Sequence, residues 1–66
     1  MVIRVDENRL LIEKVHNSNK VVSFMRTHQQ IVEVTENEKY YIVVGQPDNL
    51  YYFLINAAQH FSVELI

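Results

Sequence analysis

From Met1 to Val44 the chain is a series of short apolar runs, broken at regular intervals by turn-forming residues. The breaks are Asp6-Glu7-Asn8, His16-Asn17-Ser18-Asn19, Thr27-His28-Gln29-Gln30, Glu36-Asn37-Glu38 and Gly45-Gln46-Pro47-Asp48. Between them Val, Ile, Phe, Tyr and Thr dominate. Branched and aromatic side chains suit a pleated surface, whereas Asn, Asp, Ser and Gly favour tight turns. The spacing predicts hairpin-linked strands near residues 1–5, 9–15, 20–27, 31–35 and 39–44. The third segment is ambiguous, because Val21, Val22, Phe24 and Met25 would also serve a short helix. In a further alternative, the third and fourth segments form one long bent strand.

The period changes after Pro47. Leu50, Phe53, Leu54, Ala57, Ala58 and Phe61 recur at the spacing of one helix face, which predicts a helix over 48–61. Asp48 stands where an N-cap carboxylate would accept an unpaired backbone N–H. Pro47 lies just outside, where its fixed φ is harmless. Gly45 is expected to leave the fifth strand through a positive φ. Ser62 to Ile66 alternates and suggests a short last strand. The expected fold is α+β: a small antiparallel sheet of about five hairpin-connected strands, with one C-terminal helix on one face, forming a single domain over 1–66.

The apolar pattern exceeds what such a monomer needs. A sheet with one wet face should alternate apolar and polar residues. Leu10, Leu11 and Ile12 are consecutive, and so are Tyr40, Tyr41, Ile42, Val43 and Val44. Beyond its core stripe the helix carries Tyr51, Tyr52 and Ile55. One helix cannot cover both sides of a sheet, so either the sheet curls into a half-barrel that buries its own inside or, as expected here, a second chain covers the surplus. Chain length points the same way. At 66 residues only about 60% of the unfolded surface is buried on folding, and there is no cysteine for a disulfide staple. Tyr51, Tyr52, Ile55, Tyr41 and Val43 are therefore the candidate interface residues, tyrosine being favoured at contact hot spots.

Charge suggests two further patches. The net charge is −2, but residues 1–30 hold five of the six basic side chains against three acids. Arg4, Arg9, Lys14, Lys20 and Arg26 form a candidate basic patch for a phosphate backbone, with Tyr40 and Tyr41 able to stack on bases. The acidic balance overall and the sequence pI near 5.8 weigh against nucleic acid. Glu33, Glu36 and Glu38 cluster around the fourth turn, as a candidate acidic patch for a basic partner.

No chemistry-bearing constellation emerges. His16, His28 and His60 lack metal-ligand spacing and have no cysteine to help. Ser18, Ser23 and Ser62 stand in no nucleophile elbow. A single glycine excludes the glycine-rich phosphate loops. No cofactor, metal or catalytic residue is expected, and a chain this small has little room for both a core and a water-excluding pocket. The N-terminal run is too charged for a signal peptide, no apolar stretch is long enough to span a bilayer, and the lack of cysteine suits a reducing, cytoplasmic setting. Residues with AT-rich codons (Ile, Asn, Tyr, Phe, Lys, Met) outnumber those with GC-rich codons (Gly, Ala, Arg, Pro), as in a low-GC bacterium or its phage. The expected function is a small, self-associating, non-enzymatic protein-binding module, such as an inhibitor or adaptor acting on a host protein. The alternative is a nucleic-acid-binding regulator using the basic N-terminal strands.

Overall fold

In the computed structural model, which describes residues 1–14 and 18–66 (Ser18 by its backbone alone), a tight turn at Glu7 and Asn8 folds Val2–Asp6 (β1) back onto Arg9–Glu13 (β2). The chain then forms a helix over Ser18–Arg26 (α1). A second hairpin, Glu33–Glu36 (β3) and Tyr40–Val44 (β4), is followed by a longer helix over Pro47–His60 (α2). A two-residue strand, Glu64–Leu65 (β5), closes the order. The architecture is α+β, with one five-stranded sheet in the order β3-β4-β2-β1-β5. The sheet is mixed, because β5 runs parallel to β1 and every other pair is antiparallel.

Register explains the continuous apolar runs. Ile3 pairs with Ile12, which pairs with Tyr41; Val5 pairs with Leu10, which pairs with Val43. This face lies under both helices, where Ile3, Leu10, Ile12, Tyr41 and Val43 pack with Val21, Phe24, Met25, Leu50, Phe53 and Ala57. The alternate residues Leu11, Tyr40, Ile42 and Val44 occupy the opposite face, which neither helix covers. Lys14 and Glu36 form an ion pair at the edge of the helix side, and the Lys14 ammonium stands 5.1 Å from the centre of the Tyr41 ring.

The two hairpin–helix units are related by an approximate two-fold axis through the paired residues Leu11 and Ile42. A shift of 31 positions carries β2 onto β4 and turns the pairs Ile3–Ile12 and Val5–Leu10 into Val34–Val43 and Glu36–Tyr41, all of which are observed. On the helix side Phe24 of α1 packs against Phe53 of α2, edge to face at 5.3 Å. The helices run antiparallel, since Phe24 also meets His60 and Phe61 while His28 meets Tyr52 and Phe53.

Residues 20–27 are thus largely helix, not strand. Val21, Phe24 and Met25 are buried at i, i+3 and i+4, while Lys20, Ser23 and Arg26 are exposed. Arg26 in the last turn complements the negative helix end. Burial of this stripe outweighs the strand preference of Val21 and Val22, which is a matter of tenths of a kcal/mol. The expected strand over 9–15 ends at Glu13, and Val15 lies outside the described residues, as does His16. The two helices take the place of the single one expected.

Local chemistry follows expectation at the start of β4 and differs from it at the end. Asn37 accepts N–H bonds from Lys39 and Tyr40 at 2.9 and 2.8 Å, which sets the β3–β4 turn. The N-cap of α2 is Gln46, not Asp48. Its carbonyl receives the Leu50 N–H at 2.9 Å, but its side chain makes no capping bond. Pro47 starts the helix, and Asp48 contributes negative charge in the first turn. Gly45 does not adopt a positive φ. Close approach favours it instead: a Cβ there would lie 3.2 Å from the Ile31 carbonyl oxygen and 3.2 Å from Val32 Cγ1, tighter than ordinary van der Waals contact. The positive φ belongs to Glu7, at 55°, in the β1–β2 turn.

Two stability changes follow from these details. Gln46→Ser supplies the missing cap and raises stability by about 1 kcal/mol, or ~4–8 °C in melting temperature for a domain this small. Glu7→Gly relieves the left-handed backbone and raises the urea midpoint by the equivalent of up to about 1 kcal/mol. A fall in either measurement contradicts the local geometry described.

Candidate functional site

Helix α2 presents two different flanks, because successive residues are about 100° apart around the axis. Tyr51 faces the β1–β2 hairpin. With Val5, Leu10, Pro47, Leu50 and Leu54 it borders a shallow apolar groove of about 250 Å³. Ile55 lies one turn further along the helix. Tyr51 is 67% exposed, Val5 52% and Ile55 41%, although Val5 belongs to the helix-facing side of the sheet. Beyond β1, Leu65 pairs with the buried Ile3 on that same side, yet it is 54% exposed, as is Ile66. The helices do not reach far enough to cover this margin. The result is an exposed apolar margin along the outer flank of α2, the end of β1 and β5.

Tyr52 turns the other way and enters the seam between the helices. There Lys20, Ser23, Phe24, Thr27, His28 and Ile31 of α1 and its following turns face Asn49, Tyr52, Asn56, His60 and Phe61 across an open groove of about 850 Å³. Phe24 forms its floor, with His28 at 4.5 Å, His60 at 5.5 Å and Phe61 at 5.4 Å between ring centres. Nδ1 of each histidine lies within hydrogen-bond distance of the carbonyl four residues earlier: Phe24 at 3.0 Å for His28, Asn56 at 2.9 Å for His60. A carbonyl can only accept, so this contact calls for a proton on Nδ1 of His60 and leaves its Nε2 for other partners; His28 Nδ1 also lies 2.9 Å from the Thr27 hydroxyl, which can donate or accept.

The sequence candidates therefore separate. Tyr51 and Ile55 share the margin; Tyr52 lies in the groove. Tyr41 and Val43 are core residues, 8% and 0% exposed under the helices, and are withdrawn from any outer surface of the folded chain. Register decides this, since the odd-numbered residues of β4 face inward. Glu33 and Glu36 lie on opposite faces of β3, and Glu38 is in the adjoining turn. All three are exposed, and Glu36 is held by Lys14. The five basic residues are also divided in space, two against three. Arg4 and Arg9 lie on the uncovered sheet face, Arg9 bound to Asp6 at 2.8 Å; Lys14, Lys20 and Arg26 belong to the helix side.

Val5, Leu65 and the groove-lining His28, Thr27 and Asn56 escaped sequence reasoning. Alternation in β1 marks Val5 as inward, but not that the helix above stops short of it. The groove needs two helices, and only one is legible from periodicity alone. Among the described residues no three His, Asp or Glu side chains converge as a metal site, and no helix is long and apolar enough to cross a membrane. No protein-family model matches the chain, and neither the curated proteins nor the solved structures hold a significant match.

Proposed function

We propose that the chain is a small, non-enzymatic protein-binding module, and that its first contact is a second copy of itself. The observation that carries this reading is the exposed apolar margin of Val5, Tyr51, Ile55 and Leu65. Isolated exposed apolar side chains are common, but four large ones along one side of a 66-residue chain are of the kind that marks a contact surface. Burying each is worth roughly 1.5–3 kcal/mol, comparable to the whole stability of a small domain. A two-fold dimer would place this border against itself and double every contact.

The acidic β3–β4 end and the α1–α2 groove then remain available to a further macromolecule, as in an inhibitor or adaptor. A nucleic-acid regulator is the second reading. The scatter of Arg4, Arg9, Lys14, Lys20 and Arg26 over two sides of the sheet favours it less, because a phosphate backbone is tracked by a continuous basic stripe.

Light scattering after size exclusion tests the proposal. The wild-type chain is expected at the mass of two copies, twice 7.8 kDa. Tyr51→Asp with Ile55→Asp is expected to give a folded monomer, with the midpoint for dissociation shifted by at least about tenfold in concentration, or 1.4 kcal/mol. A wild-type monomer at every concentration, or a dimer untouched by both substitutions, overturns self-association at this border. Binding to an oligonucleotide that collapses steeply with salt would favour the second reading.

A further inference from the structure

We infer that the groove between α1 and α2 is a binding site for an acidic peptide segment bearing an aromatic side chain. The inference rests on the protein-binding reading and names the partner's chemistry; it uses a surface separate from the apolar margin.

Charge carries the argument. The chain is acidic overall, with eight carboxylate side chains against six Lys and Arg. Yet the residues lining this groove include the ammonium of Lys20 and not one carboxylate. Lys20 makes no ion pair among the described residues, whereas Lys14 and Arg9 each hold an acid. An acidic segment entering the groove meets an unneutralised ammonium and no like charge. A basic segment finds no counter-charge there.

The floor supplies the second half of the recognition. Phe24, Phe61, Tyr52 and His28 present ring faces and edges around one cleft, with Tyr52 half exposed. A ligand ring can stack or meet these rings edge to face, which adds to the area it buries. Hydrogen-bonding groups line the walls. Asn56 uses its Nδ2 on the Tyr52 carbonyl at 2.8 Å and, among the described residues, keeps its amide oxygen free, and His60 keeps Nε2. These groups suit the backbone N–H donors of a peptide.

Dimensions fit a short extended segment. From Asn49 to His60 the helix rises about 16 Å, the reach of roughly five extended residues. The volume of about 850 Å³ is at the upper end of the range of ligand sites. Single-stranded nucleic acid also brings negative charge and rings, but it brings a phosphate at every nucleotide. Its affinity comes from neutralising several phosphates, and a groove with one ammonium neutralises about one.

The test uses the full chain and a fluorescein-labelled peptide of Asp and Glu residues around a single Tyr, followed by fluorescence polarisation. Saturable binding is expected, together with movement of the His28 and His60 imidazole resonances. Lys20→Glu is expected to weaken binding at least about tenfold, by exchanging attraction for repulsion. Tyr52→Ala should weaken it severalfold, as should replacing the peptide's Tyr with Ala. Both altered side chains are exposed, and circular dichroism verifies that the fold is kept. A peptide with Lys in place of Asp and Glu should not bind. The inference is overturned if the acidic peptide fails to bind the folded protein, if Lys20→Glu binds it equally well, or if oligothymidylate binds in its stead. Light scattering on the same samples reports self-association separately, so failure here and failure of the dimer are distinguishable.

Discussion

The antiparallel pairing of β2 with β4 joins the two halves of the molecule. Each half is a hairpin followed by a helix, and neither can bury its apolar residues alone, since an isolated hairpin is marginal in water. Pairing Leu10 with Val43 and Ile12 with Tyr41 makes one continuous apolar floor. It also sets the two helices side by side and antiparallel, with Phe24 against Phe53. Shifting that register by one residue would turn the floor over and leave both helices without a surface.

The same arrangement accounts for the exposed surfaces. Two helices placed about the centre of the sheet cover the inner strands well and the margins poorly. Ile3, Ile12 and Val43 are fully buried, while Val5 and Leu65, on the same face but further out, are about half exposed. The helices meet through rings, Phe24, His28, Phe53 and Phe61, and the seam between them is open enough to hold a groove. The apolar margin and the aromatic groove are thus two consequences of one packing choice, and they lie on opposite flanks of α2.

Much of the fold was legible in the residues. The four hairpin strands follow from turn chemistry at Glu7-Asn8 and around Asn37, and α2 from the spacing of Leu50, Phe53 and Ala57 after Pro47. The surplus apolar residues of β2 and β4 were correctly read as two-faced strands; Tyr41 and Val43 were not recognised as the inward set, because a run of five apolar residues has no alternation from which to choose a face. Helix α1 was legible only as the alternative to a strand, because its apolar stripe is short and built partly on β-branched valines, so the strand and helix patterns coincide over it. The candidate site was legible only in part. Tyr51 and Ile55 were visible as surplus on a helix, but the groove depends on a helix that the pattern did not distinguish.

By itself the sequence determined the positions of the turns, the extent of α2 and the excess of apolar surface over what a lone sheet can use. These are local properties, set by backbone preferences and by periodicities of 2 and 3.6 residues. Tertiary structure alone decided which face of β4 is dry, that residues 18–26 coil, that β5 runs parallel to β1, and that Tyr51 and Tyr52 serve different surfaces. Each of these depends on contacts between residues far apart in the chain, where burial worth kilocalories overrides local preferences worth tenths.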